Sequence, residues 1–158
     1  MSEVSSESVM LSGKEILTLL PQQEPFRFVD NILEVDEDHI IANYRFRPEA
    51  DFYKGHFPGN PVTPGVILLE SLAQVGVVAL GIYLFALEEG LRGVTDKIAL
   101  FVDADVEFSG IVLPGEKVII SGKKVFFRRN KLRTEAMMTT EDGSLVCSGT
   151  ISGLRVQQ

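Results

Sequence analysis

The stretch YKGHFPGNPVTPGVILLESLAQ, residues 53–74, holds two side chains of the kinds that transfer protons in enzymes. His56 is one of only two histidines in the chain and lies among three glycines and three prolines. Glu70 interrupts the apolar segment that follows. A neutral imidazole can accept a proton and a carboxylic acid can donate one. Brought together, the two residues could carry out general acid–base catalysis.

The prolines and glycines around His56 predict a rigid and unusual backbone path. Each proline fixes its own φ and pushes the preceding residue towards extended geometry, whereas the glycines let a ligand approach the backbone. Pro64 is expected at the first helical position after a Thr63 cap. Free amides near Gly65 would then form a partial positive end that can hold an oxygen gaining negative charge.

Glu70 is predicted to lie on the helix that begins here, about 9 Å beyond Pro64 at ~1.5 Å of rise per residue. Its helical neighbours Val66 and Ala73 are apolar, and Gln74 is the one polar partner on that face. An acid in such dry surroundings can serve as a proton donor near neutrality.

Each of these residues also has a non-catalytic explanation. A histidine in a Gly/Pro loop can simply cap a turn, and Glu70 can form a structural ion pair with Arg27 or Arg45. A metal site is not favoured, because one histidine and one glutamate are too few ligands for zinc. The second histidine, His39, lies among isoleucines and marks a strand edge or a turn.

The elements that must position these residues can be read from hydrophobic periodicity and turn signals. A short helix is predicted over 13–21, strands over 26–36 and 39–46, and a long helix over roughly 64–88. Four strands are predicted over 98–108, 116–127, 131–140 and 144–156, with RRNK and EDGS as the last two hairpin turns. This order predicts an α+β domain in which a mostly antiparallel sheet of five or six strands accompanies one long central helix.

The long helix is apolar around its whole circumference, which predicts burial on all sides. A curved sheet wrapped around it, with another subunit covering the remainder, would satisfy that requirement. Residues 66–87 are long enough for a membrane span, but Glu70, Ser71 and Gln74 favour a buried helix of a soluble protein.

Length and charge restrict the other possibilities. The 158 residues suit one domain, predicted over 13–158 after a flexible tail at 1–12. A net charge of −7 disfavours nucleic acid or an anionic membrane as a partner. The lone Cys147 fits a reducing compartment, and the N-terminus shows no export signal, so a cytoplasmic location is expected.

Three segments together resemble the β-hydroxyacyl-acyl-carrier-protein dehydratases of type II fatty acid synthesis: LPQQEPFRFVD, GHFPGNPVTPGVILLESLAQ and FVDADVEFSGIVLPGEKV. The resemblance runs from about Leu19 to the C-terminus. It implies the hot-dog fold, in which a sheet wraps a long helix and two sheets join in a homodimer, which can assemble into a trimer of dimers.

The resemblance also implies site residues and a reaction. His56 would be the catalytic histidine and Glu70 the catalytic acid, supplied by different protomers to one site. The Gly65 amide would polarise the thioester carbonyl. Further predicted substrate contacts are Phe57, Pro64, Val66 and Gln74. The reaction would convert a (3R)-hydroxyacyl-acyl-carrier-protein into the trans-2-enoyl product without a cofactor, since the substrate is carried on the phosphopantetheine of its carrier.

Two departures from the family pattern concern the rim of the site. The usual LPHR appears as LPQQ, and Thr63 replaces the usual methionine, which is expected to make the rim more polar. Two other functions stay open at this point: a thioesterase on the same fold, in which the carboxylate activates water, and a noncatalytic acyl-binding protein.

A basic run between Lys117 and Arg133 contains no acidic residue. It is either a solvated hairpin or a surface that steers an acidic acyl carrier protein. The residues predicted to bind the carrier are Lys123, Lys124, Arg128, Arg129, Lys131 and Arg133.

Overall fold

A helix of 25 residues lies across one face of a six-stranded antiparallel sheet. The computed structural model describes residues 7–95 and 97–157. The elements, in chain order, are α1 (Gly13–Leu19), β1 (Asn31–Val35), β2 (His39–Arg45), α2 (Phe52–Gly55), α3 (Gly65–Glu89), α4 (Arg92–Thr95), β3 (Lys97–Phe108), β4 (Lys117–Arg128), β5 (Lys131–Thr140) and β6 (Leu145–Gln157).

The strand order in the sheet is β1-β2-β4-β5-β6-β3, and each neighbouring pair is antiparallel. Both predicted hairpin turns are present. Arg129 and Asn130 adopt positive φ values of 52° and 64° between β4 and β5, and Gly143 has a φ of 90° before β6. The α+β class and the hot-dog arrangement predicted from the sequence are therefore confirmed, and β3 forms one edge of the sheet.

The central helix α3 is enclosed by its own chain. Every residue from Ser71 to Ala86 is buried, which confirms the burial predicted from its apolar circumference. The start of the helix is less covered, since Val66 is 73% exposed, and its burial by another subunit stays a prediction. The helix is long and apolar enough to cross a membrane by composition, but 72% of its most apolar window is buried inside the fold, so it is the core helix.

A π-helical turn, Gln74–Ala79, interrupts α3 directly above the sheet. Here helix and sheet approach closely, because a Cβ atom added to Gly122 would lie 3.1 Å from the Cα of Gly76. The buried Thr134 hydroxyl donates a hydrogen bond of 2.8 Å to the Gly76 carbonyl. Such a turn leaves carbonyls without their usual helical partners, and a strand side chain satisfies this one.

The segment before β1 differs from its prediction. The strand expected from residue 26 begins at Asn31, because side chains of α3 bind the backbone of Phe28. The Gln74 side chain accepts from the Phe28 amide at 2.7 Å, and the Ser71 hydroxyl donates to the Phe28 carbonyl at 2.9 Å. Backbone groups engaged in this way are not available to a neighbouring strand.

The N-terminal region is partly ordered against the core. The Val9 amide donates to the Ala86 carbonyl at 2.9 Å, and Leu11 is buried. Ser12 and Glu15 form a capping box at the start of α1. Residues 1–6 of the predicted tail lie outside the described residues, and the domain boundary at residue 13 stays a prediction.

Candidate active site

His56 ends the short helix α2 and begins a bend in which Phe57 has a φ of 62°. A left-handed conformation is unfavourable for a residue with a bulky side chain and persists only where surrounding contacts impose it. The rings of His56 and Phe57 lie 4.3 Å apart, centre to centre, and the Phe57 ring is 58% exposed. The rigid bend predicted from the prolines and glycines is present.

One hydrogen bond fixes the tautomer of His56. Its Nδ1 lies 2.9 Å from the carbonyl oxygen of Val62. A carbonyl oxygen can only accept, so in the neutral imidazole Nδ1 carries the hydrogen and Nε2 keeps a lone pair. The bend thus presents a base nitrogen, and nothing in the sequence marked the Val62 carbonyl as its orienting group.

Thr63 does not cap the helix as expected. Its side chain turns inward to the Tyr53 hydroxyl, with 2.6 Å between the two oxygens, and both residues are 5% exposed. Pro64 occupies the N-cap position without a side-chain cap bond. The polar group expected on the rim is therefore buried, and it ties α2 to the segment that leads into α3.

The start of α3 provides backbone donors. Within residues 7–95 and 97–157, the amides of Gly65 and Val66 have no hydrogen-bond acceptor, whereas those of Ile67 and Leu68 donate to the Pro64 carbonyl. The Phe108 ring packs on Gly65, since a Cβ atom added there would lie 3.4 Å from the ring. Two free amides at a helix N-terminus can stabilise a developing oxyanion.

Glu70 lies on the second turn of α3 and is partly buried. Its Oε1 accepts a hydrogen bond of 3.0 Å from the Gln74 side-chain amide. The ion pair with Arg27 considered from the sequence is not formed, since the Arg27 guanidinium donates to the carbonyls of Leu20 and Gln22.

The structure brings some of the predicted site residues together and leaves others apart. Gln74, predicted to contact substrate, is fully buried and contacts Glu70 and the chain before β1 instead. Val66 is 73% exposed on the first turn of α3. In the described part of a single chain, no hydrogen bond joins His56 to Glu70.

An apolar cavity of about 270 Å³ lies beside α3. Its wall includes Pro21 after α1, Ile82 and Phe85 on the helix, and Ile98 at the start of β3. Arg155 closes part of the wall, stacked 3.7 Å over the Phe85 ring. Across the residues that the structure describes, no three histidine, cysteine or acidic side chains are grouped as a metal site.

The basic hairpin lies at the end of the sheet opposite to Gly65. Lys131, at the turn of the hairpin, lies opposite Leu154 of β6, which in turn lies opposite Leu100 near the start of β3. Gly65 lies at the other end of β3, where the Phe108 ring packs on it.

Lys124 and Arg133, two of the six predicted carrier-binding residues, form ion pairs with acidic side chains of the described chain. Lys124 lies 3.7 Å from an Asp38 oxygen and Arg133 lies 3.5 Å from an Asp103 oxygen. Lys123, Arg128 and Arg129 are exposed, and Lys131 is half-buried.

Comparison with known proteins identifies relatives that match most of the chain. A model of the FabA-like domain family matches residues 20–151. The 3-hydroxyacyl-[acyl-carrier-protein] dehydratase FabZ of Streptococcus agalactiae is 36% identical over 145 residues, which cover 90% of this chain and 96% of that protein.

Solved structures with low sequence identity share the fold. One is the dehydratase heterocomplex ApeI:P from Xenorhabdus doucetiae, with a TM-score of 0.72, 12% identity and coverage of 90% of this chain and 91% of that chain. Another is a thioesterase from Haemophilus influenzae, with a TM-score of 0.66, 15% identity and coverage of 97% and 96%. The likeness at these identities concerns the fold alone.

Proposed function

The chain belongs to the FabA-like domain family, and we propose that it dehydrates (3R)-hydroxyacyl-acyl-carrier-protein to the trans-2-enoyl thioester in fatty acid biosynthesis. The observation that carries the proposal is the His56 side chain, whose Nδ1–H donates to the Val62 carbonyl and leaves Nε2 as a base. The FabZ relative, 36% identical over nearly the whole chain, supports the same reaction.

The first proton transfer uses His56. Its Nε2 removes a proton from C2 of the acyl chain, and the electron pair moves towards the thioester carbonyl. The amides of Gly65 and Val66 stabilise the negative charge that develops on the carbonyl oxygen. These donors are already oriented at the start of α3, so little reorganisation is needed during the reaction.

The second proton transfer uses Glu70. The protonated carboxyl gives its hydrogen to the C3 hydroxyl, which leaves as water while the C2–C3 double bond forms. His56 is then an imidazolium with one extra proton, and Glu70 is a carboxylate that lacks one. Return of that proton through water restores both groups, so the cycle needs no cofactor other than the phosphopantetheine arm of the substrate.

We further propose that each site forms between two copies of the chain. The edge strand β3 exposes Leu100, Phe101, Val102 and Phe108, each about half accessible to solvent. A long apolar edge is prone to pair with another strand. In the family that the sequence resembles, such a dimer supplies the histidine and the acid of one site from different protomers, here His56 and Glu70, and such dimers can assemble into a trimer of dimers.

The same dimer would suit an acyl carrier protein. Antiparallel pairing of β3 places the basic hairpin of one protomer alongside the Gly65 end of its partner. The exposed Lys123, Arg128 and Arg129 would then attract an acidic carrier near the site. We place this reaction in the cytoplasm.

The test is an assay of purified protein with carrier-linked (3R)-hydroxyacyl chains of several lengths. Rising enoyl absorbance supports dehydration, whereas release of free thiol would support a thioesterase, and neither signal would support an acyl-binding protein. His56→Ala should abolish turnover without changing folding or assembly. His39→Ala is the matched control, because His39 pairs with the exposed Asp36 and should leave turnover unchanged. Unaltered turnover in His56→Ala would refute the proposal.

A further inference from the structure

The side-chain amide of Gln74 uses every strong hydrogen-bonding group that it has. Its oxygen accepts from the Phe28 backbone amide at 2.7 Å. Its two N–H groups donate to the Phe26 carbonyl at 2.8 Å and to Oε1 of Glu70 at 3.0 Å. The residue is fully buried, at 0% exposure, so water does not compete for these contacts.

The orientation of this amide is fixed by its neighbours. Turning it over would place the amide oxygen against the Phe26 carbonyl oxygen and the NH₂ group against the Phe28 N–H. Two favourable hydrogen bonds would become two repulsive contacts in a buried site. The group that faces Glu70 is therefore always a donor.

A donor at Oε1 restricts where Glu70 can carry its acidic hydrogen. A protonated carboxyl has one O–H donor, and its other oxygen accepts. A hydrogen on Oε1 would make that oxygen a poorer acceptor for the Gln74 N–H than an unprotonated carboxyl oxygen. The hydrogen is consequently more stable on Oε2, the oxygen that Gln74 does not contact.

We propose that Gln74 is a positioning residue that keeps the transferable proton of Glu70 on Oε2, facing the substrate. The inference rests on the proposed dehydration and deepens it. Glu70 becomes a carboxylate as the C3 hydroxyl leaves, and a hydrogen bond to an ionised acceptor is stronger than one to a neutral acid. The Gln74 contact thus strengthens along the reaction and lowers its barrier.

Ser71 provides a matched comparison. It lies on the same helix, is fully buried, and binds the same segment before β1 that Gln74 binds, through the Phe28 carbonyl. Its hydroxyl is bonded to that carbonyl rather than to Glu70. Loss of Ser71 weakens the attachment of the segment, whereas loss of Gln74 weakens that attachment and releases Glu70.

The experiment measures kcat and KM for a carrier-linked (3R)-hydroxyacyl substrate in Gln74→Met, Gln74→Glu and Ser71→Ala, with folding checked by circular dichroism. Removal of a hydrogen bond to a charged group should lower kcat about 10- to 100-fold in both Gln74 variants and change KM by less than about threefold. Ser71→Ala should keep kcat within about twofold of wild type. Gln74→Glu retains the size of the side chain and an acceptor for the Phe28 amide. It therefore tests the positioning role of Gln74 if Gln74→Met does not fold.

A double-mutant cycle separates positioning from general packing. In a Glu70→Gln background, Gln74→Met should lower the residual rate by less than about twofold, because the acid on which Gln74 acts is gone. Wild-type kcat in a folded Gln74 variant, or an equal fall in both backgrounds, would overturn the proposal. If the wild-type protein itself forms no enoyl product, the proposed function fails instead.

Discussion

Replacement of Tyr53 by phenylalanine tests whether the buried hydroxyl pair supports the loop that carries His56. Burial raises the pKa of the Tyr53 phenol, so its hydroxyl stays protonated through the neutral range. Tyr53→Phe removes one oxygen of a 2.6 Å pair and leaves the Thr63 hydroxyl, at 5% exposure, without its partner. A buried unsatisfied hydroxyl costs about 1–3 kcal/mol.

This cost should appear as a loss of thermal stability. For a protein of this size about 1–3 kcal/mol corresponds to a fall in Tm of about 2 to 12 °C. The rate should fall as well, because Thr63 follows Val62, whose carbonyl orients His56. Calorimetry and the dehydration assay measure the two effects.

A second substitution should restore most of the lost thermal stability. Thr63→Val in the Tyr53→Phe background removes the Thr63 hydroxyl that has lost its partner and keeps the shape of the side chain. Replacing both partners by apolar groups of the same shape is close to neutral. A Tyr53→Phe variant as stable as wild type, or a double variant no more stable than Tyr53→Phe, would refute the reasoning.

Three further predictions concern the scaffold. Gly122→Ala should lower the free energy of unfolding, measured in urea, by about 1–3 kcal/mol, because the added Cβ would lie 3.1 Å from the helix backbone. Gly55→Ala is the control and should be close to neutral, because a Cβ added there has no atom within 4 Å. Burial opposes ionisation of Asp30, but hydrogen bonds, the Arg47 guanidinium first among them, hold its pKa below 3.8. The stability that this carboxylate provides is present above pH 3.8 and lost as pH falls towards the lowered pKa, so Asp30→Asn should destabilise clearly at pH 7 and little in acid. Burial raises the pKa of the Cys147 thiol to about 11, so iodoacetamide at pH 8 should label it only after denaturation, and rapid labelling of the native protein would contradict this.

Local signals were sufficient for most of the secondary structure. The turns RRNK and EDGS separate β4, β5 and β6 as predicted, and the apolar run after Pro64 forms α3. The bend at His56 could also be predicted, because prolines fix φ locally and glycines allow conformations that other residues avoid. These features depend on neighbours in the chain, which a sequence displays directly.

The features that were missed depend on residues far apart in sequence. The π-helical turn is stabilised by the bond from Thr134 to Gly76, and β1 starts late because Gln74 and Ser71 bind the backbone of Phe28. Thr63 was expected to cap a helix, as its type favours, but a buried tyrosine hydroxyl competes for it. No pattern among neighbouring residues predicts hydrogen-bond partners that lie far apart in the sequence.

Subunit mixing tests most directly whether His56 of one copy works with Glu70 of another. His56→Ala and Glu70→Gln proteins, each folded and with at most a small residual rate, are purified separately. They are then dissociated together in mild denaturant and allowed to reassemble. In a symmetric dimer with shared sites, random mixing gives one intact site in each mixed pair, and kcat per total site should recover to about a quarter of the wild-type value. Mixed dimers shown to form by native mass spectrometry yet lacking dehydration would contradict a site built from two chains.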